Sequence, residues 1–311
     1  MKKLYFLLLA FSFFTNANAQ IVNIPDANFK AKLLEGYAQD ISGVSIKIDA
    51  NNDGQIQESE ALEVGRLRVS NIAISDLTGI QNFRNLRLLD CSNNRLTSLN
   101  VSSLVNLTDL ICRSNQLTSL NVFSLVNLTY LDCSYNKLTS IDVTPLVKLN
   151  SLNCGSNQLT SLNVDFLVNM IILNCSSNQL SFLIVSELIN ITSLDCSSNQ
   201  LSSLVVSSLV HLTYLDFSYN KLSSIDVTPL VKLNSLKCGN NQLTSLDISS
   251  LVNLTYLNCI YSQLTSLNIS SLVNLFHLNC SFNKLTSLDV SKAVNLNFLS
   301  CSYNQLSKLE L

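Results

Sequence analysis

The stretch from Asp49 to Glu60 carries the most compact set of oxygen ligands in the chain. Acids or amides stand at its first, third and fifth places, a glycine stands at the sixth, and an acid closes the twelfth. Carboxylate and carbonyl oxygens at these spacings suit calcium, which takes about six to eight oxygen ligands. A calcium site is therefore predicted, with oxygen ligands from Asp49, Asn51, Asp53 and Glu60.

This stretch resembles the calcium loop of the EF-hand, and its single occurrence resembles a dockerin-like loop. Gly54 takes the place of the sharp turn in that motif, and Ile56 takes the place of its apolar eighth residue. Residues 26–35 are predicted to form a helix before the loop, and residues 58–64 a helix after it. The resemblance implies that the backbone of Gln55, and Gln57 through a water molecule, complete the ligands. It also implies that the calcium ion is structural, in an N-terminal cap over residues 20–66. The alternative is an acidic turn that binds no ion.

Ten cysteines form a second set with possible chemistry, and they recur at intervals of 21 or 42 residues. Side chains in such a register lie about 4.8 Å apart with parallel directions, whereas a disulfide needs Cβ atoms about 3.8 Å apart and converging. Zinc fits poorly because no C-x-x-C pair or neighbouring histidine accompanies them. We interpret them as buried, reduced thiols that pack as small apolar groups. They are Cys91, Cys112, Cys133, Cys154, Cys175, Cys196, Cys238, Cys259, Cys280 and Cys301.

The cysteine spacing belongs to a repeat that accounts for 60 leucines in 311 residues. Its consensus is L-x-x-L-x-C-x-x-N-x-L-T-S-L-[DN]-V, and one leucine recurs every 21 residues from Leu89 to Leu299. A divergent unit of 22 residues begins at Leu67, and the last unit, ending at Leu311, is incomplete. The alternation of Leu110 and Cys112 predicts a short strand with both side chains inward. Because one such coil cannot bury its apolar side alone, the coils must stack.

Two positions break the repeat, and a longer period lies above it. Phe217 stands in the cysteine column, where it replaces one apolar group by another. Ser262 stands in the column of asparagines whose side chains are predicted to bond backbone groups of the turns, so we expect a looser turn there. Residues 110–193 and 194–277 are close copies offset by 84, which indicates that a block of four units was duplicated.

The pattern resembles the leucine-rich repeat family, specifically the short-repeat secreted bacterial proteins that include the internalins. The resemblance covers about residues 67–311. It implies a right-handed solenoid, a β-rich α/β horseshoe, with one short parallel strand per 21-residue repeat on its concave face and a small helical N-terminal cap. Eleven strands about 4.8 Å apart would make a sheet roughly 50 Å long.

Aromatic and polar residues recur at the outward positions around each predicted strand. Tyrosines combine a large contact area with a polar tip, and such residues dominate binding hot spots. We therefore predict a partner-binding face, and the alternative is a polar ladder with stacked tyrosines that only completes the sheet surface. The candidate residues are Tyr130, Asp132, Tyr135, Tyr214, Asp216, Tyr219, Tyr256, Asn258, Tyr261, His277, Phe282, Phe298 and Tyr303.

Catalysis and nucleic-acid binding have little support in the sequence. The two histidines, His211 and His277, have no nucleophile beside them in a recognisable motif. A repeating ladder of Asp and Asn gives equivalent environments, whereas glycoside hydrolysis needs two differing carboxyl groups across a cleft. The net charge is −2, without a basic stretch that would grip phosphates. We predict a chain that is not an enzyme and does not bind nucleic acid.

The first 19 residues read as a secretory signal. Lys2 and Lys3 precede a short apolar stretch, and Ala17-Asn18-Ala19 is a small-residue cleavage pattern, so cleavage is expected after Ala19. No transmembrane span is expected after signal removal. The incomplete last unit suggests that the chain is truncated or that a partner covers its end.

The sequence favours a secreted or cell-surface, non-enzymatic adhesion module. It is expected to bind a macromolecule through the concave face, protein before glycan. Two alternatives stay open: an accessory binding module of a larger secreted enzyme, and a passive surface-layer spacer without a saturable partner.

Overall fold

The computed structural model describes residues 20–311 and shows a solenoid with one short parallel strand in each coil. The predicted signal, residues 1–19, lies outside the described residues. Twelve parallel strands pair in sequence order with their central leucines in register, as Leu89 does with Leu110. They are β3 (Arg66–Arg68), β4 (Leu88–Asp90), β5 (Asp109–Ile111), β6 (Tyr130–Asp132), β7 (Ser151–Asn153), β8 (Ile172–Asn174), β9 (Ser193–Asp195), β10 (Tyr214–Asp216), β11 (Ser235–Lys237), β12 (Tyr256–Asn258), β13 (His277–Asn279) and β15 (Phe298–Ser300).

The N-terminal segment folds against the first coil. Helix α1 (Ala27–Glu35) begins at Asp26, whose carboxylate accepts the amide of Phe29 at 2.9 Å, and it buries Phe29 and Leu33 completely. The exiting helix α2 (Glu58–Glu63) follows the predicted calcium loop. Both predicted helices are therefore present, each within a residue or so of its expected bounds.

A hairpin that the sequence did not predict lies between the two helices. Strands β1 (Tyr37–Gln39) and β2 (Ser45–Lys47) are antiparallel, and Gln39 of β1 pairs with Arg66 of β3. The hairpin thus extends the main sheet to 14 strands and covers its first parallel edge. Hydrogen bonds from Ser75 and Asp76 to Asp26 tie α1 to the first coil as well.

The core is one continuous column of inward side chains. The central leucine of each strand from β4 to β13 is fully buried, and so are nine of the ten cysteines. Cys301, in the last coil, is partly exposed, whereas Phe217 fills its own place in the cysteine column with no exposure. All ten thiols are free. Burial raises the pKa of Cys280 to about 12, and it raises the pKa of thiols deeper in the column, such as Cys112, well above the usual value.

The asparagine side chains bond backbone groups of the turns, as predicted, and they also join consecutive coils. In the coil of β5, Asn115 donates from its side-chain amide to the carbonyl oxygens of Cys91 and Cys112, at 3.0 and 3.1 Å. Its Oδ1 accepts the amide of Leu96 from the preceding coil at 3.0 Å. One amide side chain therefore satisfies three or more backbone groups in two coils, and the arrangement recurs along the solenoid.

At Ser262 this pattern fails, as the sequence predicts. Within residues 20–311, the Ser262 hydroxyl is buried without a hydrogen-bond partner. The amide of Leu243, which an asparagine at position 262 would accept, makes no hydrogen bond in the described structure. From this turn onward the described structure also lacks the backbone bond that the preceding coils make, as Asn220 does to Asn240 at 3.2 Å: none is present from Asn241 to Tyr261 or from Asn283 to Tyr303.

A second, two-stranded sheet lies on the opposite side of the last coils. Its parallel strands are β14 (Ser287–Asp289) and β16 (Lys308–Glu310). We call the surface formed by the β14 position of each coil the back face, and the exposed surface of the 14-stranded sheet the sheet face. Among residues 20–311, no helix has the length and apolar character needed to cross a membrane.

Candidate functional site

Two stacks of aromatic rings stand on the last three coils of the main sheet. Tyr256, His277 and Phe298 begin successive strands, and their ring centroids lie 4.4 and 4.2 Å apart with interplanar angles of 9° and 4°. We call them the strand stack. The strand stack follows from the register of the parallel strands, because Tyr256 pairs with His277 and His277 pairs with Phe298. Burial lowers the pKa of His277 below its usual value, so its ring is neutral at pH 7.

A second stack, the turn stack, follows the strands at the next turn. Tyr261, Phe282 and Tyr303 lie with centroids 4.1 and 4.2 Å apart. All three have left-handed backbone conformations, with φ of 50°, 58° and 55°. A bulky side chain in this region is uncommon and strained. The sequence placed these residues in one column, but their backbone conformation carried no sequence signal.

Tyr135 and Tyr219 occupy the same turn position in earlier coils. Their φ values are 54° and 56°, and 63% and 60% of their surfaces are exposed. In the other coils this position holds a small polar residue with the same conformation: Asn93, Ser114, Ser156, Ser177, Ser198 and Asn240. The turn itself therefore does not require an aromatic ring.

A charged cluster lies on β10 and β11, the two strands that precede the strand stack. Lys237 donates to the hydroxyl of Tyr214 at 3.1 Å and lies 3.5 Å from the carboxylate of Asp216. Burial raises the pKa of Tyr214, and burial likewise raises the pKa of Asp195 on the neighbouring strand. Lys237 was not among the predicted site residues, although it is the one lysine in a column otherwise filled mainly by Asp and Asn.

The aspartate and asparagine side chains predicted to lie beside the tyrosines accept hydrogen bonds within their own coils. Asp132 is 4% exposed, and its Oδ1 accepts the amide and hydroxyl of Ser134 at 3.1 and 2.6 Å. Asp216 makes the same pair of bonds to Ser218, and Asn258 accepts the amide of Ile260. These side chains end their strands, so only part of each is open to a ligand.

The predicted residues thus fall into separate groups. Tyr130, Asp132 and Tyr135 lie four strands from the cluster of Tyr214 and Asp216, a separation of about 19 Å at the usual strand spacing. Tyr219 follows β10 and lies with the second of these groups. The two aromatic stacks bring six further members together in the coils of β12, β13 and β15, where Asn258 also lies. The C-terminal coils therefore present the largest continuous group.

The loop from Asp49 to Glu60 winds as the calcium motif requires. Gly54 has φ of +78°, and the amides of Asp53 and Gly54 donate to the Asp49 carboxylate at 3.2 and 3.3 Å. The Asp53 carboxylate accepts from the side-chain amides of Asn51 and Gln57 at 3.0 and 2.7 Å, so these three side chains converge.

Glu60 serves a different role in the same loop. Its carboxylate accepts the amides of Ala50 and Gln57 at 2.9 and 3.0 Å, and with Gln57 it forms the capping box of α2. Within the described range, 20–311, no three His, Cys, Asp or Glu side chains are grouped to hold a metal ion. The left-handed turn at Gly54 and the type of the donor atoms suit calcium, whereas the Glu60 carboxylate is engaged by backbone amides and is not turned to a shared point with Asp49 and Asp53.

Comparison with known proteins gives two kinds of match. A family model described as leucine-rich repeats in two copies matches residues 105–146, and a single leucine-rich repeat model matches residues 85–107 and 211–233. No curated protein matches the chain. Solved structures match over most of its length.

The functional domain of InlJ from Listeria monocytogenes is 31% identical, with a TM-score of 0.71 over 93% of this chain and 72% of that one. Its structure is described as including a cysteine ladder. A leucine-rich repeat protein from Leptospira interrogans is 27% identical, with a TM-score of 0.73 over 82% and 73% of the two chains. The internalin InlF from Listeria monocytogenes, 23% identical with a TM-score of 0.74 over 96% and 99%, shares the fold. The chain belongs to the leucine-rich repeat family.

Proposed function

We propose that this protein is an exported, non-enzymatic module that binds a protein partner through the sheet face of its C-terminal coils. The leucine-rich repeat fold is typical of protein-binding modules, which supports a binding role. The observation that carries the proposal is the pair of aromatic stacks on the last three coils.

The turn stack holds aromatic residues at a strained turn position where most other coils hold small polar ones. For residues other than glycine, a left-handed backbone conformation costs about 1–2 kcal/mol. Ser and Asn occupy this conformation elsewhere in the chain, so Tyr261, Phe282 and Tyr303 are not needed to make the turn. Because the conformation recurs in every coil, the choice of aromatic side chains, and not the backbone strain, supports a binding role.

The stacking of the rings favours a protein over a glycan as the bound partner, because it covers most of the ring faces. A sugar ring packs on the open face of an aromatic ring, but the rings within each stack cover one another at 4.1–4.4 Å. Ring edges, the outer faces at the stack ends and the tyrosine hydroxyls stay available. These groups suit the mixed apolar and polar side chains of a protein surface.

A quantitative capture experiment tests the proposal. Immobilised protein is incubated with extracellular and cell-surface protein fractions, and retained proteins are quantified by mass spectrometry. The test variant is Tyr256→Ser/Tyr261→Asn, because Ser235 and Asn240 hold these places one coil earlier. The matched control is Phe123→Ser, which removes an aromatic ring that is 63% exposed outside both stacks.

The proposal predicts saturable retention of a specific partner by the wild type and the control, and at least a tenfold loss with the test variant. Equal retention by all three proteins, or no saturable partner, would instead indicate a passive spacer.

The export proposal and the calcium proposal concern the N-terminal segment. The charge and apolar pattern of residues 1–19 supports cleavage after Ala19. Calcium would be held by Asp49, Asn51, Asp53, the backbone oxygen of Gln55, Gln57 through water, and Glu60. The Glu60 carboxylate would then exchange its amide donors for the cation, so calcium would act on the start of α2.

Calorimetric titration tests the calcium proposal. Extracellular calcium modules have Kd values of about 10⁻⁴ to 10⁻³ M, and we expect this range together with a higher Tm in calcium. Asp53→Asn should abolish both effects, and Asp40→Asn, an acid outside the loop, should leave them unchanged. The absence of binding heat in the wild type, or equal heat with Asp53→Asn, would mean an acidic turn without an ion.

A further inference from the structure

On the back face, a polar turn residue recurs in eight coils. An Asn or Asp accepts the backbone amide two residues ahead of it at 2.9–3.2 Å, as Asp142 does from Thr144 and Asp289 from Ser291. The bond satisfies a backbone amide where the chain leaves the extended segment. The eight residues are Asn100, Asn121, Asp142, Asn163, Asp226, Asp247, Asn268 and Asp289.

Two consecutive coils replace this residue by an apolar one. Ile184 and Val205 stand at the position, and they are 53% and 65% exposed. Phe182, which is 55% exposed, stands where nine other coils have serine. We call Phe182, Ile184 and Val205 the back patch. These coils lose the turn hydrogen bond and expose apolar surface, which are both unfavourable for the isolated chain.

The duplicated block shows what the fold accepts at these positions. With the offset of 84 residues, Phe182 corresponds to Ser266, Ile184 to Asn268, and Val205 to Asn121. All three counterparts are polar, and the structure places them in the same kind of coil. The apolar residues are therefore a local departure and not a requirement of the repeat.

The back patch forms a ridge with a shallow cavity on each side. One cavity is lined by Phe182, Ile184 and Val205 together with Ser186 and Ser203. The other is lined by Phe182 and Ile184 together with residues of the preceding coil: Ser161, Asn163 and Asp165. Each cavity lies between adjacent coils and is wide enough to receive apolar side chains on either side of the ridge.

The charge around the patch is of one sign. Residues 149–220 contain neither lysine nor arginine, and two of their four acids, Asp165 and Glu187, lie outside the sheet face. Asp165 lines one cavity, and the exposed Glu187 follows Ser186 of the other. Among the described residues, neither acid forms a salt bridge. A second copy of the chain would bring equal acids together, so the charge favours a partner that carries lysine or arginine beside apolar side chains.

We propose that the back patch docks a cationic amphipathic peptide segment of a partner. Its apolar side chains occupy the two cavities beside Phe182 and Ile184, and its lysines or arginines lie near Asp165 and Glu187. Three exposed apolar side chains suit a short segment better than a large interface. The site is on the opposite side of the solenoid from the aromatic stacks, so it does not depend on the function proposed for the sheet face.

Fluorescence anisotropy with synthetic peptides tests this proposal. The probe is a labelled amphipathic helix of leucine and lysine, about four turns long, and its counterpart has glutamate in place of lysine. The full chain should bind the lysine peptide at least tenfold more tightly than the glutamate peptide. Ile184→Asn/Val205→Asn should weaken that binding at least fivefold without lowering Tm, because it restores the two turn bonds. Asp165→Asn/Glu187→Gln should weaken it and reduce its salt dependence.

The control Phe123→Ser should bind as the wild type does, and so should Tyr256→Ser/Tyr261→Asn on the sheet face. Unchanged binding by Ile184→Asn/Val205→Asn, or equal affinity for the two peptides, would overturn the proposal. Self-association of the wild type that this variant abolishes would overturn it in favour of a second copy as the occupant. Binding to zwitterionic vesicles that the variant abolishes would overturn it in favour of a membrane.

Discussion

Single side chains join one coil to the next in this protein. The amide of each turn asparagine bonds backbone groups of its own coil and of the preceding one, as Asn199 does with Cys196 and Cys175. The aspartates that end the strands act within their own coil, because one oxygen accepts the amide and hydroxyl of a serine two residues ahead, as in Asp132 and Asp195. At this scale, most polar side chains are structural, and the aromatic rings are the exceptions.

Ser262→Asn should stabilise the protein. The new side chain would accept the Leu243 amide and donate to the carbonyl oxygens of Cys238 and Cys259, as its neighbours do in their coils. Satisfying a buried amide is worth about 1–3 kcal/mol. Urea unfolding should therefore show a higher midpoint, whereas Ser266→Asn, at an exposed position nearby, should leave it unchanged. A midpoint for Ser262→Asn at or below the wild-type value would show that the turn has relaxed around serine.

The buried thiols should resist a thiol reagent in the native state. Burial raises the pKa of the buried thiols, to about 12 for Cys280, so their thiolate forms are scarce at pH 8. A dithiobis-nitrobenzoate assay should count about one fast thiol, Cys301, and all ten after unfolding. The pKa values of the buried thiols are higher in the folded than in the unfolded chain. The free energy of unfolding that depends on protonated thiols is therefore fully present below pH 8 and falls as the pH rises above about 9. Rapid native reaction of several thiols would contradict the packing.

At the scale of elements, the N-terminal segment is fixed by a few long-range contacts. Helix α1 depends on Asp26, which caps it and also receives hydrogen bonds from Ser75 and Asp76 of the first coil. Burial raises the pKa of Asp26, but these hydrogen bonds outweigh it and hold the pKa below its usual value. The Asp26 carboxylate therefore connects the cap to the solenoid by hydrogen bonds.

Asp26→Ala should destabilise the cap by about 1–3 kcal/mol, the sum expected from losing an N-cap and charge-assisted bonds. Hydrogen exchange should accelerate in residues 27–35, while Glu35→Ala should have little effect. The pKa of Asp26 is lower in the folded than in the unfolded chain. The stabilisation of the cap by the Asp26 carboxylate is therefore complete above about pH 4 and is lost as the pH falls through the folded pKa. Unchanged exchange in α1 would show that Phe29 and Leu33 alone hold the helix.

Some of the secondary-structure elements could be predicted from the sequence and others could not. The 21-residue period predicted the strand positions and the inward columns, and Asp26 marked the start of α1. The hairpin of β1 and β2 was not predicted, because three-residue strands carry little periodicity. In addition, Gln39 pairs with Arg66, which is distant in the sequence. The period grouped the aromatic residues in columns, but stacking, left-handed turns and the bonds that occupy Asp132 appear only when neighbouring coils are in contact.

At the scale of the whole molecule, stacked coils create surfaces that no coil has alone. Each coil contacts mainly its neighbours, so a substitution in one coil acts locally and the remaining coils keep their shape. This makes consensus substitutions suitable probes, because each exchanges a residue for one that the same fold already holds nearby. The sheet face and the back face can then be altered independently.

Titration of the captured partner against the sheet-face variants tests the central claim most directly. Tyr256→Ser/Tyr261→Asn should raise Kd at least tenfold, while Phe123→Ser and Ile184→Asn/Val205→Asn should each change it less than twofold. A Kd that the stack variant leaves unchanged would contradict binding through the aromatic stacks.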